Sequence, residues 1–406
     1  MKSKRYLSAQ EAARELGITP ATLYSYVSRG LIRSEQGSGT GRERRYHAED
    51  IRKLKERSQV RRDPAKATEG ALHWGAPLLE SSITLIADGR LYYRGEDAVR
   101  LAATRSLEEV AGLIWNGDMT APIPFNAHVV RLPARLARMQ RALAELRTIE
   151  RMQTVLAIAA AEDHAAYDLR TGGVIRTGMR IVQLMTAVAA DVPTIGGGIA
   201  AALAAAWAPG KPQAARLLER ALILAADHEL NVSSFTVRCV ASAGSTPYQA
   251  VIAGLAALEG TKHGGYTERV EAMLEEIGKP ERTRDQIAAR LRRGEVIPGF
   301  GHSLYPEGDP RGAALLDAVA DAMPRSQALK LPFAVRDAAA DMVGDYPTID
   351  LGLVAISRAL ALPPGTPLAL FALGRTIGWI GHALEQYATD RMIRPRARYT
   401  GKTPGE

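Results

Sequence analysis

Two histidines set among glycines lie in the part of the chain best suited to chemistry. They are His263, in Lys262-His-Gly-Gly265, and His302, in Gly299-Phe-Gly-His302. Glycine lets the backbone approach a ligand closely and adopt turns that a Cβ atom forbids. An apolar repeat predicts a helix over residues 267–277, so His263 precedes a helix N-terminus, where unpaired N–H groups disfavour an imidazolium. A neutral ring at this position can donate a hydrogen bond and polarise a carbonyl.

Other charged and polar residues could complete the same site. Asp309-Pro-Arg311 predicts a turn that delivers a guanidinium able to hold a carboxylate. His228 lacks the second histidine at i+4 that a zinc helix needs, so it is either a structural histidine or a member of this site. Asp350 stands at the start of an apolar helix, as its N-cap or as a desolvated general base. Arg375, in another apolar helix, is either ion-paired or directed at an anionic ligand.

Helices must position nearly all of these residues. Ala, Leu, Arg and Glu dominate four segments separated by Gly and Pro, which predicts helices at residues 106–117, 134–160, 176–190 and 213–226. Further helices are predicted at residues 234–243, 248–258, 351–360 and 367–388. Residues 81–95 read as a β-hairpin around Asp88-Gly89. The most apolar tract, residues 195–208, is short, which favours a buried helix over a membrane span.

Composition and charge limit the class of protein. With 406 residues, 46% hydrophobic and 24% charged, the chain is globular and long enough for two or three domains. The single cysteine, Cys239, excludes an internal disulfide. Neither a secretion signal nor a run of 18 apolar residues is present, so we expect a cytoplasmic protein with no membrane partner. Residues 1–57 hold 13 Lys/Arg against 7 Asp/Glu, a net +6 out of the chain's +8, which predicts a polyanionic partner there.

The basic N-terminal segment has the pattern of a helix-turn-helix. Ser8 and Glu11 have the spacing of a capping box, and Thr19-Pro20 starts a second short helix after a turn at Gly17. Residues 31–47 end in a Gly-rich loop and a pair of arginines, as in a wing that reaches phosphates. The candidate DNA-binding residues are Thr22, Tyr24, Ser25, Arg29, Arg44 and Arg45.

This segment resembles the MerR-like and excisionase-like DNA-binding domains. The resemblance is carried by Leu7-Ser-Ala-Gln-Glu-Ala-Ala, Gly17-Ile-Thr-Pro-Ala-Thr-Leu-Tyr and Arg45-Tyr-His47. It implies a winged helix-turn-helix domain over residues 1–57, followed by a polar linker at residues 58–75. A helical module for protein contacts is the alternative. A phosphate loop at residues 37–41 is disfavoured, because no apolar strand precedes it and no Gly-Lys-Ser/Thr follows.

The rest of the chain, from about Leu79 to Gly401, resembles the citrate synthase family. Eight motifs in order carry the resemblance: Asp88-Gly-Arg-Leu-Tyr-Tyr-Arg-Gly95, Asp227-His-Glu-Leu-Asn231, His263-Gly-Gly265, Gly299-Phe-Gly-His302, Asp309-Pro-Arg311, Tyr346-Pro-Thr-Ile-Asp350, Arg375-Thr-Ile-Gly-Trp379 and Ile393-Arg-Pro-Arg396. The resemblance implies an all-α fold with a large domain at residues 76–256 and 366–406 and a small mobile domain at residues 257–365. It also implies a homodimer or a larger homo-oligomer.

The resemblance further implies a reaction, in which an acyl-CoA cosubstrate (acetyl- or propionyl-CoA) condenses with oxaloacetate. The product is citrate, as in the tricarboxylic acid cycle, or 2-methylcitrate. Asp350 would remove the α-proton of the thioester, His263 would donate to its carbonyl oxygen, and His302 would bind the ketone of oxaloacetate and supply a proton. The residues that would bind oxaloacetate are His228, Arg311, Arg375 and, from the neighbouring subunit, Arg394. Neither a metal nor a permanently bound cofactor is implied.

The sequence departs from the usual family motifs next to these residues. The departures include Lys262, Tyr266, Ser303, Pro306 and the run Leu351-Gly-Leu353. Together with the basic N-terminal segment, they support a second hypothesis: a transcriptional regulator whose catalytically weak or inactive synthase fold senses a metabolite. All three catalytic residue types are present, which favours an active enzyme.

Overall fold

The computed structural model describes residues 6–29, 31–36, 44–48, 50–51, 79–125, 130–132, 134–139, 142–195, 197–397 and 399–404. The chain divides into two compact units, residues 1–80 and 81–406. A mobile domain at residues 257–365 within the second unit stays a prediction. The Gly-rich loop at residues 37–41 and the linker at residues 58–75 lie outside the described residues.

The N-terminal unit packs two helices against a three-stranded antiparallel sheet in the order β1-β3-β2. The predicted capping box is confirmed, because the Ser8 side chain accepts the Glu11 N–H while the Glu11 carboxylate accepts the Ser8 N–H. Leu23 and Tyr46 are fully buried in the core of this unit. Its elements are β1 (Tyr6–Leu7), α1 (Ala9–Leu16), α2 (Pro20–Ser28), β2 (Ser34–Gln36) and β3 (Arg44–His47).

The second unit is mostly helical, which confirms the predicted fold class. Its strands are β4 (Thr84–Ala87), β5 (Arg90–Tyr93), β6 (Glu96–Asp97), β7 (Val130–Arg131) and β8 (Thr194–Ile195). Its helices are α3 (Ala98–Thr104), α4 (Leu107–Asn116), α5 (Ala134–Met139), α6 (Thr148–Glu162), α7 (Thr171–Ala189), α8 (Ile199–Trp207), α9 (Ala214–Ala225), α10 (Val232–Ser242), α11 (Pro247–Leu258), α12 (Tyr266–Ile277), α13 (Thr283–Arg292), α14 (Pro310–Ala322), α15 (Lys330–Val343), α16 (Ile349–Leu360) and α17 (Thr366–Thr389).

Most of these elements follow their local sequence signals, and two depart from them. The predicted hairpin is confirmed as β4 and β5, with Asp88 and Gly89 at its turn. The stretch at residues 134–160 contains two helices rather than one, because the chain turns at residues 142–147 between α5 and α6. The apolar tract at residues 195–208 forms α8, but Ala201 and Ala205 on this helix are exposed. Alanine is small enough to be tolerated on a surface, so apolar composition alone overestimated burial here.

Helix α17 forms the centre of the second unit. Every residue from Thr366 to Ala383 is buried, and the helix packs against α4, α7, α9, α10, α11 and α16. A helix that is apolar on all sides is typical of a protein interior. Arg375 and His382 are the charged or titratable residues within this buried stretch, so each needs a polar partner there.

Among the described residues, none of the helices combines the length and apolar content that crossing a membrane requires.

Candidate active site

Three aromatic rings from two distant segments of the sequence meet in the second unit. His228 lies in the loop between α9 and α10, whereas His302 and Tyr305 share the loop that leads to α14. The ring centroids of His228 and His302 are 5.1 Å apart, and Tyr305 lies 5.5 Å from His228 and 5.1 Å from His302. The Tyr305 hydroxyl is 3.0 Å from Nε2 of His228. This arrangement brings two of the predicted site histidines into direct contact.

The loop that carries His302 is held by short backbone pairing. Gly299 has φ +81°, a left-handed conformation that favours glycine. The Gly301 N–H donates to the Tyr346 carbonyl at 3.0 Å, and the Thr348 N–H donates to the Gly299 carbonyl at 2.8 Å. Because Tyr346 and Thr348 immediately precede α16, this pairing joins the segment before His302 to the segment before Asp350.

His302 is neutral and its tautomer is defined. Burial and the nearby guanidinium of Arg311 lower its pKa. The Leu304 N–H donates to Nδ1 of His302 at 3.2 Å, so the ring proton of the neutral form is on Nε2. His302 therefore has one N–H to offer a ligand, at Nε2.

Asp350 lies in the first turn of α16 and is not its N-cap. Thr348 occupies the N-cap position, so the N-cap interpretation of Asp350 is wrong: the helix begins at Ile349, two residues earlier than its apolar pattern indicates. The Thr348 hydroxyl donates to Oδ2 of Asp350 at 2.8 Å. Burial raises the pKa of Asp350 to about 6, although the Thr348 hydrogen bond and the charge of Arg311 oppose the shift. A carboxylate with this pKa is basic enough to accept protons near neutral pH.

Arg311 is buried and ion-paired within its own turn. Its Nε donates to Oδ1 of Asp309 at 2.9 Å and its Nη2 to Oδ2 at 2.8 Å. Asp309 is also the N-cap of α14, and its Oδ2 accepts the Ile349 N–H at 3.2 Å. Although burial opposes the shift, Asp309 raises the pKa of Arg311 above its usual value. The predicted bidentate grip of Arg311 on a carboxylate is thus already made to Asp309.

Of the two buried arginines in the predicted site, Arg375 makes fewer side-chain hydrogen bonds to the described residues than Arg311. It is 1% exposed on α17, its Nε donates to the Ala225 carbonyl at 2.9 Å, and within the described residues its Nη2 is buried without a hydrogen-bond partner. Burial lowers its pKa to about 10, although the negative charge of Asp227 opposes this shift. A buried guanidinium with an unused donor is suited to an anionic ligand.

One face of α17 holds the segment that leads to His228. Along this face Arg375 donates to the Ala225 carbonyl, the Gly378 N–H donates to the Ala226 carbonyl at 3.0 Å, and Nε2 of His382 lies 3.2 Å from Oδ1 of Asp227. A Cβ atom on Gly378 would lie 2.5 Å from that same Oδ1, so only glycine allows this close approach. The three residues that precede His228, at positions 225–227, are thus all held against α17.

The ring of His263 is neutral and is hydrogen-bonded to a serine on α10. Burial and the charge of Arg375 lower its pKa to about 4. Its Nε2 lies 2.9 Å from the Ser233 hydroxyl. That hydroxyl must donate to Oδ1 of Asn231, at 2.7 Å, because Oδ1 already accepts the backbone N–H groups of Ser233 and Ser234 and cannot itself donate. The ring of His263 therefore donates from Nε2 to Ser233.

Electrostatic coupling links the predicted catalytic and binding residues of the second unit. The charge of Arg375 lowers the pKa values of His228 and His263, and its own pKa responds to Asp350. The charge of Arg311 lowers the pKa values of His228 and His302, after burial as the larger cause. We refer to the six residues connected in this way as the charged cluster: His228, His263, His302, Arg311, Asp350 and Arg375. Arg394 is separate from it, exposed on the C-terminal tail that follows α17.

Four of the predicted DNA-binding residues lie at the surface of the N-terminal unit. Tyr24 is 53% exposed on α2, and Arg29, Arg44 and Arg45 are also exposed. Thr22 and Ser25 are only partly exposed, and the Thr22 hydroxyl is 2.9 Å from that of Thr19. Strands β2 and β3 pair in antiparallel register and flank the predicted wing.

Sequence reasoning missed the roles of three residues in the site: Ser233, Tyr305 and Asp309. Tyr305 and Asp309 lie within the loop between His302 and Arg311, so proximity in sequence could have identified them as candidates. Ser233 lies 30 residues from His263, and the sequence contains no signal for that contact.

Among the described residues, no cluster of three or more His, Cys, Asp or Glu side chains is arranged to hold a metal ion.

Both units match known protein families. Residues 71–396 match the family described as citrate synthase, C-terminal domain. Residues 6–59 match a family described as a helix-turn-helix domain.

Curated relatives and solved structures agree with the first match. The chain is 28% identical over 355 residues to citrate synthase 2 of Bacillus subtilis, covering 80% of this chain and 94% of that protein. It is 30% identical over 333 residues to 2-methylcitrate synthase of Mycobacterium tuberculosis, covering 77% and 84% respectively. The crystal structure of citrate synthase from Thermotoga maritima is similar with a TM-score of 0.70 and 27% identity, covering 82% of this chain and 96% of that chain.

Proposed function

The chain belongs to the citrate synthase family of acyltransferases, and on that basis we propose that it condenses acetyl-CoA or propionyl-CoA with oxaloacetate. Condensation gives a citryl or 2-methylcitryl thioester, and water then hydrolyses its C–S bond to release citrate or 2-methylcitrate and free CoA. The observation that carries this proposal is the contact of the His228, His302 and Tyr305 rings beside the guanidinium of Arg311. Asp350, a carboxylate of raised pKa, is joined to the same loop through Thr348. Relatives include both a citrate synthase and a 2-methylcitrate synthase, so either acyl donor is a candidate.

Oxaloacetate is the first ligand of this mechanism. Its carboxylates bind to Arg375, whose Nη2 has an unused donor, to Arg311 and to His228. Its ketone oxygen accepts the Nε2–H of His302, the one ring proton that the Leu304 hydrogen bond leaves available. This hydrogen bond polarises the ketone, and His302 gives up the proton as the carbon–carbon bond forms.

Asp350 then removes an α-proton from the acyl thioester. This proton is only weakly acidic, so the enolate must be stabilised by fixed donors in a site without bulk water. Burial keeps the pKa of Asp350 near 6, which makes the carboxylate a stronger base than an exposed one. His263 supplies the donor for the thioester oxygen, and because its Nε2–H is given to Ser233 in the free site, the thioester oxygen replaces Ser233 as the acceptor.

Exclusion of water follows from movement of residues 257–365 over the rest of the second unit. This segment carries His263, His302, Arg311 and Asp350, so its closure brings these side chains onto oxaloacetate held by α17. Arg394 lies outside the cluster, which is consistent with its delivery to a neighbouring subunit in a homodimer.

Measurement of thiol release tests this function. Purified protein is mixed with acetyl-CoA or propionyl-CoA, with and without oxaloacetate, and free CoA is titrated with a thiol reagent. We expect release that depends on oxaloacetate, and a reduction of at least about a thousandfold in Asp350→Asn, since the base is lost. Binding of both substrates without any release of CoA would reject the enzymatic function and favour a metabolite sensor.

DNA binding is a second function, supported by the helix-turn-helix match and the exposed arginines of β3. It is tested with a fluorescent duplex from the DNA upstream of the protein's own reading frame, titrated at several salt concentrations. Replacing both Arg44 and Arg45 with Ala is expected to weaken binding. It should also reduce the slope of the logarithm of the binding constant against the logarithm of the salt concentration by about two, because two phosphate contacts are lost. Arg176→Ala, an exposed change in the second unit, is the control. Binding that does not depend on salt would contradict this function.

A further inference from the structure

Tyr305 lies at the centre of the site without a role in the mechanism above. It is 2% exposed, and its ring contacts both His228 and His302. The guanidinium carbon of Arg311 lies 5.8 Å from the centre of the same ring, over its face. One side chain therefore touches three of the residues proposed to bind oxaloacetate.

The hydrogen bond between Tyr305 and His228 has a defined direction. Among the described residues, the hydroxyl makes this one hydrogen bond, at 3.0 Å to Nε2. If Nε2 were protonated, it would donate to the phenol oxygen and the phenol proton would be buried without an acceptor, which is costly. Tyr305 is therefore the donor, and Nε2 of His228 carries the lone pair.

The tautomer of His228 follows from this direction. Burial and the charges of Arg311 and Arg375 hold the pKa of His228 well below its usual value, so the ring is neutral and has a single proton. With Nε2 occupied as an acceptor, that proton is on Nδ1. A neutral histidine can hold a carboxylate only through its N–H, so the tautomer decides which ring nitrogen binds the ligand.

We propose that Tyr305 is a positioning residue for oxaloacetate: its hydroxyl fixes His228 in the Nδ1–H form, and its ring holds His228 and His302 at their mutual distance. This inference rests on the proposed function and concerns the same site. Binding by His228 is made in both the ground state and the transition state, so loss of the Tyr305 hydroxyl changes KM more than kcat. The ring contact with His302 stays intact when the hydroxyl alone is removed.

The variant Tyr305→Phe removes the hydroxyl and keeps the ring. We expect the Kd and the KM for oxaloacetate to rise about tenfold, the loss of one hydrogen bond, with kcat changed less than about threefold. The control is Tyr248→Phe. Tyr248 is also fully buried, and its hydroxyl donates to Asp163 at 2.9 Å, a residue outside the proposed site. The control should lose stability and keep the Kd for oxaloacetate.

Nitrogen-15 NMR of histidine-labelled protein gives a readout that does not need turnover. The His228 signal, assigned with His228→Gln, should show the Nδ1–H tautomer in the wild type and a mixture of tautomers in Tyr305→Phe. An Nε2–H signal in the wild type, or a Kd for oxaloacetate unchanged in Tyr305→Phe, would overturn the role of Tyr305. If the wild type binds oxaloacetate but releases no CoA, the proposed function fails, and the Kd and the tautomer still decide the role of Tyr305.

Discussion

Asp309 holds Arg311 through two parallel hydrogen bonds while both side chains are almost completely buried. The same carboxylate accepts the Ile349 N–H, the residue before Asp350. Asp309 thus connects a proposed substrate-binding arginine to the proposed catalytic base. Arg311 is thus paired internally through Nε and Nη2, whereas Nη2 of Arg375 is buried without a hydrogen-bond partner among the described residues.

The first prediction concerns the stability of this ion pair. Asp309→Asn should lower the free energy of unfolding by about 3 kcal/mol, because it leaves a buried guanidinium uncompensated. The measurement is urea unfolding followed by circular dichroism. Asp341→Asn serves as the control, since Asp341 forms an exposed ion pair with Arg284 and its loss should have little effect. Equal stability of both variants would show that Arg311 finds another partner.

The second prediction concerns the unused donor of Arg375. Arg375→Gln should raise the Kd for oxaloacetate about a hundredfold, because two charge-assisted hydrogen bonds to the ligand are lost. The change should have little effect on the free energy of unfolding, because Nη2 of Arg375 has no hydrogen-bond partner among the described residues. Calorimetric titration measures the Kd. Arg238→Gln is the matched control: Arg238 is 3% exposed and paired with Glu385 at 3.1 Å, so this change should destabilise the protein and leave the Kd within about twofold. The reverse pattern would assign Arg375 a structural role.

The third prediction is a pH profile. The deprotonated form of Asp350 is the active one, and its pKa is about 6, so kcat/KM for the acyl-CoA should rise tenfold per pH unit up to about pH 6 and level off near pH 7. His263 does not contribute in this range, because its pKa is about 4 and the ring stays neutral. Initial rates between pH 5 and pH 8 test this expectation. A profile that is flat down to pH 5 would mean that the base has an ordinary carboxyl pKa.

The sequence predicted the fold class and the parts of the site that lie in short motifs. Helix caps such as Ser8 and the hairpin at Asp88-Gly89 are local, so neighbouring residues determine them. The roles proposed for His263 and Asp350 came from a resemblance, and they stay predictions. What the sequence could not supply were contacts between distant segments. Examples are Ser233 against His263 and the pairing of Gly299 with Thr348, both of which depend on packing that no local pattern encodes.

The environment of each charged group was equally inaccessible from the sequence. The sequence places Arg311 in a polar turn and Arg375 in an apolar helix, and it makes both candidates to bind an anionic ligand. In the structure one is satisfied by Asp309 and the other has an unused Nη2. The number of N–H donors that each guanidinium has left for a ligand depends on the positions of neighbouring carboxylates, and these are set by tertiary packing.

The fourth prediction tests the close approach of α17 to the segment before His228. In Gly378→Ala the new Cβ atom would meet the Ala226 carbonyl oxygen and lie 2.5 Å from Oδ1 of Asp227. The backbone must shift, so we expect a loss of about 2 kcal/mol in stability and a higher KM for oxaloacetate. Gly172→Ala is the control, since its Cβ atom meets nothing nearer than 3.4 Å. If Gly378→Ala lowered stability without changing KM, the position of His228 would not depend on this contact.

Removal of a proton from the acyl group by Asp350, within the charged cluster, is the step on which the proposed function depends. The most direct test uses acetyl-CoA with three deuterium atoms in its acetyl group, mixed with oxaloacetate and wild-type protein, with the products identified by mass spectrometry. We expect citrate that has lost one deuterium and kept the other two, formed at least about a thousandfold more slowly by Asp350→Asn. Citrate formed at the wild-type rate by Asp350→Asn, or none formed by the wild type from bound substrates, would contradict this expectation.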